Sequence, residues 1–428
     1  MMFRNYFNKY ASAILILFTA AVAFAPFLRA QNPKTPAPRQ EKLLNNLKLL
    51  MWQDASSDKV SVKLRVHSGA AFDTLGKEGT MAMLADALFP NESVKEFFRE
   101  DLGGDLTVES NFDYIQINAS GSADQVLTIL ETVANAVTKP ILDKETTAKV
   151  KTARLEKIKK LEKNPAYVAN LAVAKRLFGD FPYGRSAEGT TESLAKIDFA
   201  DLILAKQRFL TADNATVAVS GNIKPDYVFK AVRQLFGGWE KADKKVPATF
   251  AQPSAPETKV LTMKSLGDEK SEIRMAFRGV ARNDKNFWTA ATLARILEKR
   301  LEGVSVRHNP NLLPGMFLMS ITATNAKIGP PASSGMQFIF DDWTKLPIKP
   351  EETAEAKAFL INQWNEKSVN EHWLDIDTYK IVSVQADALG AQNVTPADVQ
   401  KMAEKIRQMP VATVLVLRAE DFPAAINQ

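Results

Sequence analysis

Val60 to Val66 (VSVKLRV) alternates apolar and polar residues with the period of a strand, and Ser68-Gly69-Ala70-Ala71 turns from it toward a helix holding Ala82 to Leu88. The same order returns in the second half. Glu272 to Phe277 (EIRMAF) reads as the strand, Arg278-Gly279-Val280-Ala281 as the turn and Ala291 to Leu297 as the helix. The ends of the halves match as well. Asp198-Phe199-Ala200-Asp201-Leu202 opens a helical stretch leading to Asn214 to Val219 (NATVAV), and Thr395-Pro396-Ala397-Asp398-Val399 opens another leading to Val411 to Val416 (VATVLV). Fifteen positions separate Asp201 from Thr216, and fifteen separate Asp398 from Thr413. Each unit is an N-capped helix followed by a β-branched strand. Two matches in one order indicate duplication. Each half therefore starts with strand and helix and ends with helix and strand. That is α+β architecture twice over, a mainly antiparallel sheet with helices packed on one face.

Length agrees, because 428 residues exceed one ordinary core and divide naturally into two. A composition of 46% hydrophobic and 24% charged residues, with 24 Phe and six Trp, excludes wholesale disorder. Residues 1–30 stand apart. Arg4 and Lys9 precede the apolar run Ala11 to Phe27, which ends near Leu28-Arg29-Ala30. That anatomy is a secretory signal peptide cleaved after Ala30, with an uncleaved membrane anchor as the alternative. Residues 31–40 (QNPKTPAPRQ) form a Pro-rich lead-in, 41–246 the first domain, 247–256 (PATFAQPSAP) a linker and 257–428 the second domain. The chain has no Cys, which removes lipoprotein anchoring and disulfides. The net charge of +6 includes Arg4, Lys9 and Arg29, so the chain without its leader carries 6 − 3 = +3. That charge is too small and too evenly spread for nucleic acid.

Lys77-Glu78-Gly79 followed by TMAMLADALFP resembles the active-site helix of the M16 (pitrilysin-like, mitochondrial-processing-peptidase-like) zinc peptidases. In that family the helix carries His-x-x-Glu-His, two imidazoles on one face with a Glu to activate metal-bound water. The matching positions here are Ala82, Ala85 and Asp86. Arg154-Leu155-Glu156-Lys157-Ile158, ahead of Asn164-Pro165, resembles the helix supplying the third ligand, and the alignment puts Lys157 there, or Glu156 with a one-residue slip. The resemblance thus implies a homologue whose zinc site is lost, with no catalytic residue and no cofactor. Leu102-Gly103-Gly104-Asp105-Leu106-Thr107, then Asp113-Tyr114-Ile115, looks like the strand-turn-strand beside the substrate cleft, making Gly104, Asp105, Leu106 and Thr107 candidate substrate contacts. Phe178 to Gly184, Glu188-Gly189-Thr190 with Leu194, and Phe236-Gly237-Gly238-Trp239 also follow the family pattern. In the second half Lys299-Arg300-Leu301 survives. No Tyr follows it, and Arg307 is the candidate for a substrate-holding Arg.

Several features have plainer readings. His67, His308 and His372 lie at a strand end, in a loop and on a helix, with no ligand spacing among them. His372 and Asp375 read as a solvated helical pair. Asp86 and Lys157, opposite charges at two former ligand positions, could pair with each other or stand as separate solvated charges. Lys144 to Lys163 is an amphipathic helix with a wet face, carrying Val150, Leu155, Ile158 and Leu161 on its apolar side, and Pro330 to Gly335 reads as a loop. The expectation is an exported protein of the periplasm or cell envelope, non-catalytic alone. It would pair with an active M16 subunit and contact peptides or unfolded polypeptide. It would touch a membrane only if the leader is uncleaved. The alternatives are a stand-alone peptide-binding protein or an enzyme with rebuilt chemistry.

Overall fold

A computed structural model of the chain describes residues 36–242, 246–247, 249–266, 270–323 and 330–421. The expected leader, with its run Ala11 to Phe27, lies outside the described residues.

The first sheet is built from β1 (Arg39–Lys42), β2 (Lys48–Gln53), β3 (Lys59–Val66), β4 (Leu106–Ser110), β5 (Ile115–Ser122) and β6 (Ala215–Gly221), in the order β1-β2-β6-β3-β5-β4. The second contains β7 (Leu261–Lys264), β8 (Ser271–Arg278), β9 (Ser305–Asn309), β10 (Met316–Ala323) and β11 (Ala412–Leu417), ordered β7-β11-β8-β10-β9. Without β1, the two orders superimpose strand for strand. The parallel pair falls at the same place in each, β2 with β6 and β7 with β11, and the other pairs are antiparallel. The duplication inferred from two short matches therefore extends to the topology.

The helices of the first half are α1 (Thr80–Leu88), α2 (Glu92–Glu100), α3 (Val126–Thr138), α4 (Lys144–Leu161), α5 (Pro165–Phe178), α6 (Thr191–Lys196), α7 (Phe199–Phe209) and α8 (Pro225–Phe236). Those of the second are α9 (Phe287–Arg300), α10 (Pro330–Lys345), α11 (Pro350–Glu366), α12 (Val369–Tyr379), α13 (Val384–Gln392) and α14 (Pro396–Arg407). The repeated end-of-half units share their caps. Asp198 accepts the Ala200 and Asp201 amides at the start of α7, and Thr395 accepts the Asp398 amide at the start of α14. Both close reciprocal capping boxes with the Asp three residues on.

Strand alternation sets what each sheet buries. Val60, Val62, Leu64 and Val66 of β3 enter the first helical core, and Ile273, Met275 and Phe277 of β8 enter the second. The opposite face of each sheet is crossed by one helix from the other half. Ala169, Val173 and Leu177 of α5 pack on Ala276 and Leu318 of the second sheet and on Ala412, Val414 and Val416 of β11. Leu374 of α12 packs with Leu50, Trp52 and Ala218 of the first. The expected one-faced packing thus holds for each half's own helices, and the exchanged helices fasten the halves together.

Three sequence expectations need correcting. Arg39 and Gln40 are not lead-in but the start of β1, paired with Met51 and Leu50. The Pro-rich linker is no free tether: Phe250 packs on the rings of Phe72 and Phe181, at 5.5 and 6.2 Å between centroids. Residues 330–335 begin α10 instead of forming a loop. Proline is tolerated in a first helical turn, where its missing N–H would have no intrahelical partner.

Candidate functional site

The site is organised by the start of α1. The buried Asp73 carboxylate accepts the amides of Gly79 at 2.7 Å and Met81 at 2.9 Å, satisfying donors that the first turn leaves open. Burial pushes Asp73 up to about 7 against the pull of those amides. Gly79 sits at φ +94°, and a Cβ there would lie 2.9 Å from both the Glu188 carbonyl and the Gly189 Cα. Only a glycine allows that approach. It sets the Glu188 backbone against the start of α1.

From this start α1 presents Ala82 and Ala85, both buried. Opposite runs α4, whose buried stripe is Val150, Arg154 and Ile158 at intervals of four. Arg154 is 4% exposed and holds the centre. Its Nε donates to Asp86 Oδ2 at 2.7 Å, one terminal nitrogen to Glu188 Oε2 at 2.8 Å, and the other to the Ala82 carbonyl at 3.2 Å. Lys157, exposed one turn on, donates to the same Glu188 oxygen at 2.7 Å. The four charges form a chain, Asp86–Arg154–Glu188–Lys157. Asp86 and Lys157 do not form a direct ion pair; each is tied to an intervening charge. Burial alone would lower the Arg154 pKa, but the hydrogen bond and charge of Asp86, with the charge of Glu188, outweigh it and raise the value. For Glu188 burial works upward, and the Lys157 hydrogen bond with the Arg154 charge brings the net shift below the ordinary carboxylate range.

These residues do not fit a divalent zinc ion. Two alanines supply no donor, Asp86 is hydrogen-bonded by a guanidinium, and two cations stand where ligands would be needed. Among the described residues no group of three or more His, Cys, Asp or Glu could hold a metal ion. Beside the quartet opens a cleft of about 310 Å³ floored by Ala85, Phe89, Val108, Val150 and Ala153. Along it runs β4, the last strand of its sheet. Ser120 N–H bonds to the Asp105 carbonyl and Asn111 N–H to the Tyr114 carbonyl, so the odd-numbered residues face β5. By alternation, Leu106, Val108 and Ser110 turn their backbone N–H and C=O groups toward the free edge.

The candidate substrate contacts fall around this edge. Gly104 packs on the β5 backbone, where a Cβ would stand 2.1 Å from the Ser120 carbonyl. Asp105 is exposed, Leu106 is buried, and Thr107 accepts from Asn118 at 3.3 Å on the face away from the cleft. Of that strand it is Val108 that lines the cleft. Arg307 lies elsewhere, exposed on β9, its Nε donating to Ser305 Oγ at 3.3 Å. It borders a second cleft of about 250 Å³ with Ala294, Arg295 and Phe359, the counterpart of the first by topology. There the Arg295 guanidinium sits 3.8 Å from the Phe359 ring centre.

The histidines are structural. His67 bridges Thr216 and Thr378, at 2.9 Å to each, and burial holds its pKa well below the ordinary value. His308 is on strand β9 and not in a loop, accepts the Val280 amide at 3.2 Å and is lowered by burial to about 4. His372 and Asp375 are both buried and not a solvated pair. His372 packs on Trp364 at 3.9 Å, and Asp375 receives Arg65 at 2.8 Å.

Arg65, fully buried on the crossed face of β3, also reaches Glu371 at 2.5 Å and Gln116 at 2.5 Å and lies 4.1 Å from the Tyr114 ring centre. Asp113, in the turn after β4, accepts the Tyr183 hydroxyl at 2.9 Å and the Leu312 amide of the second half at 3.1 Å. Burial raises its pKa to about 6.

Comparison with known proteins places this geometry. The sequence model described as Insulinase (Peptidase family M16) matches residues 48–191, and that of the Peptidase M16 inactive domain matches residues 196–360. An uncharacterized zinc protease of Streptomyces coelicolor is 22% identical over 269 residues, 60% of this chain and 58% of that protein, so the match spans little more than half the relative's length. The crystal structure of a peptidase M16 inactive domain from Pseudomonas fluorescens aligns with a TM-score of 0.77 at 18% identity, covering 90% of this chain and 98% of that one. The periplasmic protease PqqL from Escherichia coli aligns at 0.69 and 14% identity, covering 90% of this chain but 48% of that one.

Proposed function

The chain belongs to peptidase family M16, and on that premise we propose that it is an exported, non-catalytic member that holds extended polypeptide and pairs with an active M16 zinc peptidase. The observation that carries this reading is Arg154. A buried guanidinium, bonded to Asp86, Glu188 and the Ala82 carbonyl, fills the space between α1 and α4 where the family's metal chemistry would require neutral imidazoles and a carboxylate. The cleft and the edge of β4 beside it, unpaired among the described residues, are suited to an added strand, a recurrent mode of peptide capture.

Pairing is supported by length. This chain corresponds to about half of the E. coli periplasmic protease, so a protein of that kind has room for a second unit of similar size. The basic start, short apolar run and small residue at Ala30 support export. Among the described residues no helix is long and apolar enough to cross a membrane.

The test is an affinity pull-down of the tagged full-length protein from its native cells. Co-purification of a second M16 chain with an intact His-x-x-Glu-His, in about equal amount, is the expected result. Its absence would end the pairing reading and leave the stand-alone peptide-binding protein, which the cleft supports independently. Bound zinc or partner-free peptide hydrolysis by the purified chain would overturn the non-catalytic reading.

A further inference from the structure

The cleft beside β4 has a distinctive charge. Four cationic side chains line it, Lys95, Lys149, Arg154 and Lys157, against one carboxylate, Asp86. Arg154 neutralises Asp86, and Lys95 is paired with Glu92 at 2.8 Å. Lys157 shares the Glu188 carboxylate with Arg154. Lys149 donates to the neutral side-chain oxygen of Asn91 at 2.7 Å. Asp86, Arg154, Glu188 and Lys157 sum to zero, so the positive excess of this wall is the charge of Lys149, with Lys157 exposed on the same side of the helix. These stand two helical turns apart on α4, with the small Ala153 on the turn between them. The floor beneath is apolar: Phe89, Val108 and Val150.

The edge of β4 fixes how a chain could lie here. A strand added along Leu106, Val108 and Ser110 sends alternate side chains to the helical side of the sheet, over Val108. An aliphatic stem there meets the apolar floor, and an anionic tip reaches the two lysines. A lysine-bearing segment would meet like charge on the same wall.

We propose that this cleft selects extended polypeptide segments bearing an acidic side chain at the position that faces Val108, with Lys149 and Lys157 receiving its carboxylate. This rests on the reading that the first half holds polypeptide and adds the chemistry it prefers.

The test is fluorescence anisotropy of the full chain with labelled octapeptides, acetylated and amidated at their ends, that alternate Val with Glu, Gln or Lys. Partly exposed ion pairing at Lys149 and Lys157 predicts that Val–Glu binds up to about tenfold more tightly than Val–Gln. Val–Lys should bind more weakly than either. The preference should shrink as salt is raised to about 0.5 M. The exposed double variant K149E/K157Q, whose new side-chain amide can still donate to Glu188, should abolish the preference while its melting curve stays close to that of the parent. Equal affinity for Val–Glu and Val–Gln, or a preference that survives in K149E/K157Q, overturns the proposal and leaves polypeptide holding intact. Tight binding of a Val–Gln peptide only when its C-terminus is a free acid also overturns it, by assigning the cleft to chain ends. Binding of none of the probes overturns polypeptide holding itself, and the preference with it.

Discussion

The two halves share one topology and solve the same two packing problems with different charges. Between the first helix of the half and the long helix facing it, the first half places Arg154 against two carboxylates, whereas the second places Arg295 against the Phe359 ring and a neighbouring Glu298. On the crossed face of the central strand, Arg65 of β3 reaches Glu371 and Asp375 on the other half's helix. Arg274 of β8 finds its carboxylate, Glu272, on its own strand at 2.8 Å and takes only the neutral Asn170 from the crossing helix. Duplication thus keeps a cation between the paired elements but moves it from the facing helix α4 in the first half to the first helix α9 in the second, and changes what it is bonded to. Arg65 and Arg154 bind carboxylates far away in sequence, whereas Arg274 and Arg295 bind Glu272 and Glu298, two and three positions away.

The largest effect should come from breaking the Arg65 contacts. Arg65→Met removes the buried guanidinium that joins Glu371 and Asp375 across the halves and leaves them to the more exposed Lys63 and Lys367, and loss of a fully buried ionic partner costs about 3–5 kcal/mol. Because both carboxylates belong to the second half, urea unfolding followed by Trp fluorescence should split into two transitions. Arg274→Met leaves its orphaned carboxylate on the same strand, where the Thr322 hydroxyl still bonds it at 2.7 Å, and should shift one transition without splitting it. Identical behaviour of the two variants would dissolve the contrast between linking and local cations.

Next in size is the pair of clefts. Arg154→Met strips hydrogen bonds from Asp86, Glu188 and the Ala82 carbonyl. Asp86 is 41% exposed and recovers some solvation from water, so the loss should be about 2–4 kcal/mol. Arg295→Met removes a half-buried pair and one ring contact, which predicts no more than about 1 kcal/mol. Thermal melts of both variants, compared with the parent, measure the difference.

The joint between halves should also respond to pH through Asp113. Burial raises its folded pKa to about 6 from an ordinary 3.8, so its contribution to stability is complete below about 4 and fades as pH rises through 6. Asp113→Asn keeps an acceptor oxygen and removes the titration. The parent should therefore gain about 1 kcal/mol relative to the variant on going from pH 7.5 to pH 5. Chemical denaturation at the two pH values reads this directly, and a parent that instead loses ground on acidification would show Asp113 to be held ionised.

Much of this architecture is legible in the chain because it is local. Strand alternation locates β3 and β8 to within a residue at each end, and the repeated Asp201 and Asp398 spacings mark capping boxes that the structure contains. Topological details that join distant segments are not legible, such as the helices exchanged between sheets and the Arg65 cluster, whose partners lie about three hundred positions away. Arg154 is the instructive case. Alignment with a ligand position favours Lys157 and passes over the arginine one turn earlier. Yet Val150, Arg154 and Ile158 recur every four residues, and a cation on the apolar stripe of a helix must be buried or distort that stripe. The stripe, weighed before the alignment, singles out the arginine.

The smallest effect is the most diagnostic of how the first-half quartet works. Asp86 and Lys157 both line the first cleft and carry opposite charge, so a direct pair would make Asp86→Ala and Lys157→Ala strongly non-additive. In the structure Arg154 lies between them, and Lys157 is bonded to Glu188. Coupling must then pass through two intermediate charges and should fall below about 0.5 kcal/mol, the level at which unconnected sites add. The Asp86→Ala and Arg154→Ala cycle, across a direct 2.7 Å contact with one buried partner, should give about 1–2 kcal/mol. The ratio of the two couplings tests the arrangement independently of its absolute strength, because both cycles share the Asp86→Ala leg. If the Lys157 cycle proved the larger, the guanidinium would not be the centre of the site.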